Sequence, residues 1–139
     1  LARERGVSGP ALAAVEMALI DLSARVHGVP VAVLLGGRFR DRVPVVRIVP
    51  IKAPAAMADT AAALVAEGYR AVKLRVGDSP RRDIARVEAV REALGADVEI
   101  LVDANTGYSV DDVRRVMPAF EAAEVAWLEE PFPPQDVYS

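Results

Sequence analysis

From Val43 onward the sequence changes texture at a nearly fixed interval, and that alternation limits the fold more than any other feature. Short runs rich in Val, Ile and Leu (43–51, 69–76, 97–103 and 124–130) are separated by longer stretches with helical signals, and matching strand positions recur about every 26–28 residues. The stretch 54–68 is alanine-rich and closed by Gly68. The next opens with Ser79 as cap and Pro80 in the first turn, carries Ile84, Val87, Val90 and Leu94 at helical spacing, and ends at Gly95. The third is capped by Ser109 and bears Val110, Val113, Val116, Met117 and Phe120. Such alternation calls for parallel strands joined by right-handed crossovers. Pro118 falls inside the last pattern, where it removes a backbone hydrogen bond, so a kink or an early end near residues 114–117 is expected.

Upstream of this repeat, residues 8–27 read as a helix. Ser8 can cap it, Pro10 is tolerated in its first turn, and Leu12, Val15, Ala18, Leu19, Leu22 and Val26 recur at helical spacing before Gly28 and Pro30 end it. A connector with a Gly36-Gly37 turn follows. His27, the single histidine, reads as a polar residue in a last helical turn.

With 139 residues, 53% of them hydrophobic, the chain can build one real core. No window approaches the roughly 18 unbroken apolar residues of a membrane span, and the start lacks the apolar core of a secretory signal. A net charge of −3 offers no basic field for nucleic acid. The absence of cysteine excludes disulfide stapling and fits a reducing compartment, so a cytoplasmic location is expected, with neither nucleic acid nor membrane as partner.

Two closures are open to four such repeats: an open doubly wound sheet, or half of a (β/α)8 barrel. A dinucleotide fold should carry its Gly-rich phosphate fingerprint after the first strand, and there the sequence has Lys52-Ala53-Pro54. The barrel is therefore the preferred reading.

Side chains on a strand alternate between faces. Lys73 and Arg75 share one face of the second strand, opposite Val72, Leu74 and Val76. Leu101 and Asp103 share a face of the third, and Asn105 continues that parity if extended geometry persists. On the fourth, Trp127 and Glu129 lie opposite Leu128 and Glu130. If the apolar faces meet the helices, then Lys73, Arg75, Asp103 and Glu129 point into the barrel mouth from C-terminal strand ends, where barrel enzymes place their chemistry. Two carboxylates and a nearby amide form a hard-oxygen set suited to Mg2+. A plain salt-bridge network among the same four charges explains the pattern equally well.

Four stretches, specific when taken together, carry a resemblance: AAVEMALIDLSARVHGVPVAVLLGG (13–37), VKLRVG (72–77), VREALGADVEILVDANTGYS (90–109) and WLEEP (127–131). On them the chain resembles the enolase superfamily, in its mandelate racemase/muconate lactonizing enzyme branch. The resemblance implies that residues 1–42 hold the C-terminal helix and connector of an α+β capping domain. Residues 43–139 would then be the first half of a modified (β/α)8 barrel. It implies that Asp103 and Glu129 are two of three carboxylate ligands of an essential Mg2+, with Asn105 and Glu130 near the metal or the substrate. Lys73-Leu74-Arg75 falls on the family's KxK motif, whose second lysine is commonly the base removing the proton α to a substrate carboxylate. The metal then stabilises the resulting enediolate.

Arg75 departs from that motif. Arginine stays protonated in nearly any protein setting and is a poor general base, so Arg75 is read as an electrostatic or substrate-binding group and the base is expected elsewhere. The chain begins without methionine and stops just after a Pro-rich turn, and a four-stranded half barrel leaves edge strands open. A fragment of a longer enzyme is therefore expected, lacking the third ligand and the later acid/base residues. The expected activity is Mg2+-dependent α-proton abstraction from a small carboxylate (an acid sugar or hydroxy acid), in the form of an acid-sugar dehydratase. A racemase, epimerase or cycloisomerase is the alternative within the family, and an assembly-only, non-catalytic chain is the alternative outside it. Family resemblance also favours a homo-oligomer.

Overall fold

The computed structural model describes residues 8–133; Pro134 and the rest of the Pro-rich tail lie outside them. Two compact units divide between Val43 and Pro44. In the first, helix α1 spans Gly9–His27 and a short helix α2 spans Val31–Leu34. Ser8 Oγ accepts from Ala11 N at 3.4 Å, and Gly28, at φ 66°, closes α1 by donating to the carbonyls of Ala24 and Arg25. A left-handed residue there is cheap only for glycine. The apolar positions of α1 are in phase, yet Val15, Leu19, Leu22 and Val26 are exposed and only Ala24 is buried.

The second unit alternates as its sequence demands: β1 (Arg47–Val49), α3 (Pro54–Ala66), β2 (Ala71–Arg75), α4 (Pro80–Leu94), β3 (Glu99–Asp103), α5 (Val110–Ala122) and β4 (Val125–Glu129). All three strand pairings are parallel. The strand order is β1-β2-β3-β4. A doubly wound sheet reverses its strand order at a switch point; these strands run on without reversal, as the wall of a barrel does. β1 is shorter than its apolar run because Pro44 and Pro50 flank it and neither can donate to a ladder.

Helices α3, α4 and α5 cover one face. Val49, Val72, Leu74, Ile100 and Val102 from the strands pack with Met57, Ala61, Val87, Val90, Val116 and Phe120 from the helices into one core. The opposite face presents Lys73, Arg75, Asp103 and Glu129, alongside Ile48 and Trp127, which are more than half exposed. β3 and β4 slip by one residue between Ile100 and Leu101. The bulge precedes Trp127, so the alternation that puts Trp127 and Glu129 on one face is intact beyond it.

Two local expectations change. Helix α5 runs through Pro118 to Ala122 rather than ending near residues 114–117. Pro118 is exposed, as is Arg114, the residue whose carbonyl the proline leaves unpaired, so water can take that bond. A full capping box, Ser109 with Asp112, holds the other end of α5. Ser79 precedes α4 but its hydroxyl makes no capping bond. Instead Asp83 reaches back from the first turn to accept from Ser79 N at 3.3 Å.

Candidate metal centre at the strand ends

Register puts the charges in rows. Arg75, Asp103 and Glu129 are direct neighbours across β2, β3 and β4, and Lys73 lies one step back beside Leu101 and Trp127. Arg75 Nη1 stands 2.6 Å from Asp103 Oδ2. Lys73 Nζ lies 3.5 Å from the same oxygen and 3.1 Å from Glu129 Oε2. One ammonium therefore touches both carboxylates. The hydrogen bond to Glu129 leads the influences that hold the Lys73 ammonium above the usual lysine range, with burial opposing it.

Asp103 is almost fully enclosed, its side chain 6% exposed, whereas that of Glu129 is 40% exposed. Asp103 Oδ1 is engaged by the backbone N–H of Asn105 at 2.9 Å. That contact needs a turn. Asn105 sits at φ 47° and Glu130 at φ 43°, both in the left-handed region and both exposed. The extended geometry that would have carried Asn105 along the Asp103 face ends at Asp103 itself. Glu130 contributes a backbone carbonyl, which accepts from Thr106 N at 2.7 Å and continues the pairing of the two chain segments beyond the sheet.

A second charged cluster lies behind this mouth, and the apolar periodicity of α4 did not reveal it. Asp83 is fully buried, yet every oxygen is satisfied. Oδ2 accepts from Gly77 N at 3.0 Å and from the Tyr108 hydroxyl at 2.8 Å, and Oδ1 accepts from Arg86 Nη1 at 2.6 Å. Arg86 also makes a two-pronged bond to Asp78 and donates from Nε to Lys52 O at 2.8 Å. Hydrogen bonding from Arg86 holds Asp78 below the usual carboxylate range. Burial, reinforced by the bond to Asp83, pushes the Tyr108 hydroxyl far above the usual tyrosine value, so it remains a donor. The available signal was an Asp-x-x-Arg pair, Asp83 and Arg86, in phase with Val87 and Val90.

Around this cluster the backbone closes tightly. A Cβ on Gly77, whose φ is 104°, would stand 2.3 Å from Ala104 O, and one on Gly107 would stand 2.3 Å from Gly77 O. The loops after β2 and β3 therefore pack main chain against main chain.

Comparison with known proteins identifies the family. The family described as "Enolase C-terminal domain-like" matches residues 56–139, and the "Mandelate racemase / muconate lactonizing enzyme, N-terminal domain" matches residues 2–36. The chain belongs to the enolase superfamily, in its mandelate racemase/muconate lactonizing enzyme branch. Within that superfamily, the N-succinyl-L-Arg/Lys racemase of Bacillus cereus is 33% identical over 128 residues, covering 91% of this chain and 35% of the relative. A crystal structure of an enolase-superfamily member from Polaromonas sp. JS666 superposes with TM-score 0.83 at 41% identity, over 88% of this chain and 33% of that one. The dipeptide epimerase of Cytophaga hutchinsonii, crystallised with Mg and the dipeptide D-Ala-L-Val, superposes with TM-score 0.79 at 31% identity, over 83% of this chain and 31% of that one. Other relatives include a D-galactarolactone cycloisomerase and a D-gluconate dehydratase. The chain thus spans about a third of the length of the superfamily members it matches, and its four-stranded wall corresponds to the first half of their barrel.

Among the described residues no three His, Cys, Asp or Glu side chains gather as a metal cluster. Two carboxylates do converge, because a single ammonium reaches both. Their donors are hard oxygens alone, which fits Mg2+ rather than a soft metal. Asp103 and Glu129 fit two ligand positions of such an ion.

Proposed function

We propose that this chain carries part of the active site of an enzyme that removes the proton α to a substrate carboxylate with the help of Mg2+. The observation that carries the reading is the convergence of Asp103 and Glu129 on one cation position, now filled by Lys73 Nζ at 3.5 and 3.1 Å. Asp103 and Glu129 would hold the metal. Bound there, a divalent cation supplies electrostatic stabilisation where negative charge develops on the substrate carboxylate. Asn105 stiffens Asp103 through its backbone N–H, and Glu130 lies at the exposed rim of the same loop pair.

Arg75 supplies positive charge beside this position, and Lys73 does so once its ammonium yields the position to the metal. Arg75 is a fixed guanidinium already committed to Asp103 at 2.6 Å, so it binds and orients rather than accepting a proton. Lys73, held in its ammonium form by Glu129, neutralises charge in the same way. With no base at the Arg75 position, the proton-accepting residue belongs to another part of the site. That division favours a dehydratase acting on an acid sugar, in which base and leaving-group acid stand apart from the KxK strand. A D-gluconate dehydratase among the relatives supports this version.

Racemisation or epimerisation is the second reading, favoured by the N-succinyl-L-Arg/Lys racemase and the dipeptide epimerase among the similar proteins. Incubation of the protein, at its full natural length, with Mg2+ and a panel of sugar acids, N-succinyl amino acids and dipeptides separates the two. Loss of water with formation of a 2-keto acid supports dehydration. Deuterium uptake at the α-carbon without loss of water supports racemisation. No turnover across the panel, or turnover indifferent to Asp103→Asn, overturns the shared reading.

A further inference from the structure

The buried cluster at the start of α4 serves no step of the proposed chemistry, yet it joins every described strand-to-helix loop bordering the mouth. Arg86 Nε takes the carbonyl of Lys52, which follows β1. Asp83 and Arg86 take Gly77 N, Ser79 N and the Asp78 carboxylate, all in the loop after β2. Asp83 also takes the Tyr108 hydroxyl, in the loop after β3, at 2.8 Å. The last two of these loops are the immediate continuations of the strands that end in Arg75 and Asp103.

Their coupling to the mouth is short and stiff. Gly77, gripped by Asp83, lies two residues beyond Arg75, and the intervening Val76 donates to Asp103 O at 2.9 Å. Gly77 and Gly107 press on each other and on Ala104 so closely that neither has room for a Cβ. A shift of Asp83 by a few tenths of an ångström must therefore move Gly77 and Tyr108 together, and with them the ends of β2 and β3. We infer that Asp83, Arg86 and Tyr108 are positioning residues, which set the spacing of the Arg75–Asp103 pair and so the geometry offered to a divalent cation. This rests on the proposed metal reading and deepens it. Groups hydrogen-bonded directly to metal ligands change metal affinity about 10–100-fold when altered, and an effect relayed through the backbone belongs at the lower end of that range.

A matched control exists in the same helix. Arg91 also gathers backbone carbonyls, those of Gly95, Val98, Ala123 and Glu124, but at the opposite end of the sheet. The experiment titrates Mn2+ alone into the wild-type protein and into Tyr108→Phe, Asp83→Asn, Arg91→Met and Asp103→Asn, with melting temperature recorded for each. Tyr108→Phe removes one oxygen and keeps the ring, so it stands in where Asp83→Asn fails to fold. The expected result is Mn2+ affinity lowered about tenfold or more in Tyr108→Phe and Asp83→Asn. Arg91→Met, at a comparable loss of melting temperature, stays within about twofold of wild type. Amide exchange at Val76 should accelerate in Tyr108→Phe and not in Arg91→Met. Equal loss of affinity in Arg91→Met, or wild-type affinity in Tyr108→Phe while Asp103→Asn has lost it, overturns the inference. Wild-type affinity in Asp103→Asn overturns the metal reading itself, and the positioning role falls with it.

Discussion

The two ends of the parallel sheet are each closed by an arginine of α4, and they are closed differently. At the N-terminal end, among the described residues, Arg91 bonds only to backbone carbonyls, at 2.6–3.3 Å, and no carboxylate takes part. At the C-terminal end Arg86 is enclosed among Asp83, Asp78 and Lys52 O, and Lys73, Arg75, Asp103 and Glu129 stand just beyond. A guanidinium on carbonyls satisfies chain ends and little else. Carboxylates paired with cations at a mouth can exchange their partners for a ligand. The difference separates a clamp at one end of α4 from the proposed site near its other end, which is the end of barrel sheets at which chemistry is found.

The largest effect should come from removing the hub carboxylate. Asp83→Ala leaves Arg86 and Tyr108 buried without their shared acceptor, and urea unfolding should register a loss of about 3–5 kcal/mol. Arg91→Ala, partly exposed and bonded to carbonyls, should cost about 1.5–3 kcal/mol. A reversal of that order breaks the comparison.

Glycines sharpen it next. Gly77→Ala meets both a φ of 104° and a backbone oxygen at 2.3 Å, whereas Gly95→Ala, at the other end of α4 with φ 70°, meets nothing within 4 Å. Gly95→Ala should cost about 1–3 kcal/mol for a backbone at φ 70° and ψ −172° that essentially only glycine adopts, and Gly77→Ala distinctly more, because Ala104 must move. Equal melting temperatures for the two variants would contradict the close packing of the mouth loops.

The smallest effect is electrostatic. Lys73 is raised above the ordinary 10.5 of lysine chiefly by its bond to Glu129. Its folded form thus binds the proton more tightly than the unfolded chain does. The resulting stability is fully present below about pH 10.5 and is lost as pH rises through the raised folded value. With Glu129 40% exposed, solvent and salt weaken the pair, and the contribution stays below about 1 kcal/mol. Melting curves of wild type and Lys73→Met should therefore differ slightly at neutral pH and converge in strong alkali. A gap that persists there would contradict the assignment.

Much of the fold could be read directly from the residues. Caps and glycines marked α1 and α3–α5, and the period of two put Lys73, Arg75, Asp103 and Glu129 on one face because each strand is short, regular and apolar behind. What escaped was set by contacts across the chain. Asp83, Arg86 and Arg91 look like ordinary helix charges until Tyr108, Lys52 and Ala123 are brought beside them. Asn105 escaped because its left-handed turn depends on Asp103 accepting its N–H. Pro118 failed to end α5 because its helix face is exposed.

The central claim is that Asp103 and Glu129 form one cation site, and calorimetric titration of Mg2+ into wild type, Asp103→Asn and Glu129→Gln tests it most directly. Weak binding in wild type that falls at least about tenfold in each variant is the predicted result. Binding of equal strength in all three would leave these four charges as a salt-bridge network and nothing more.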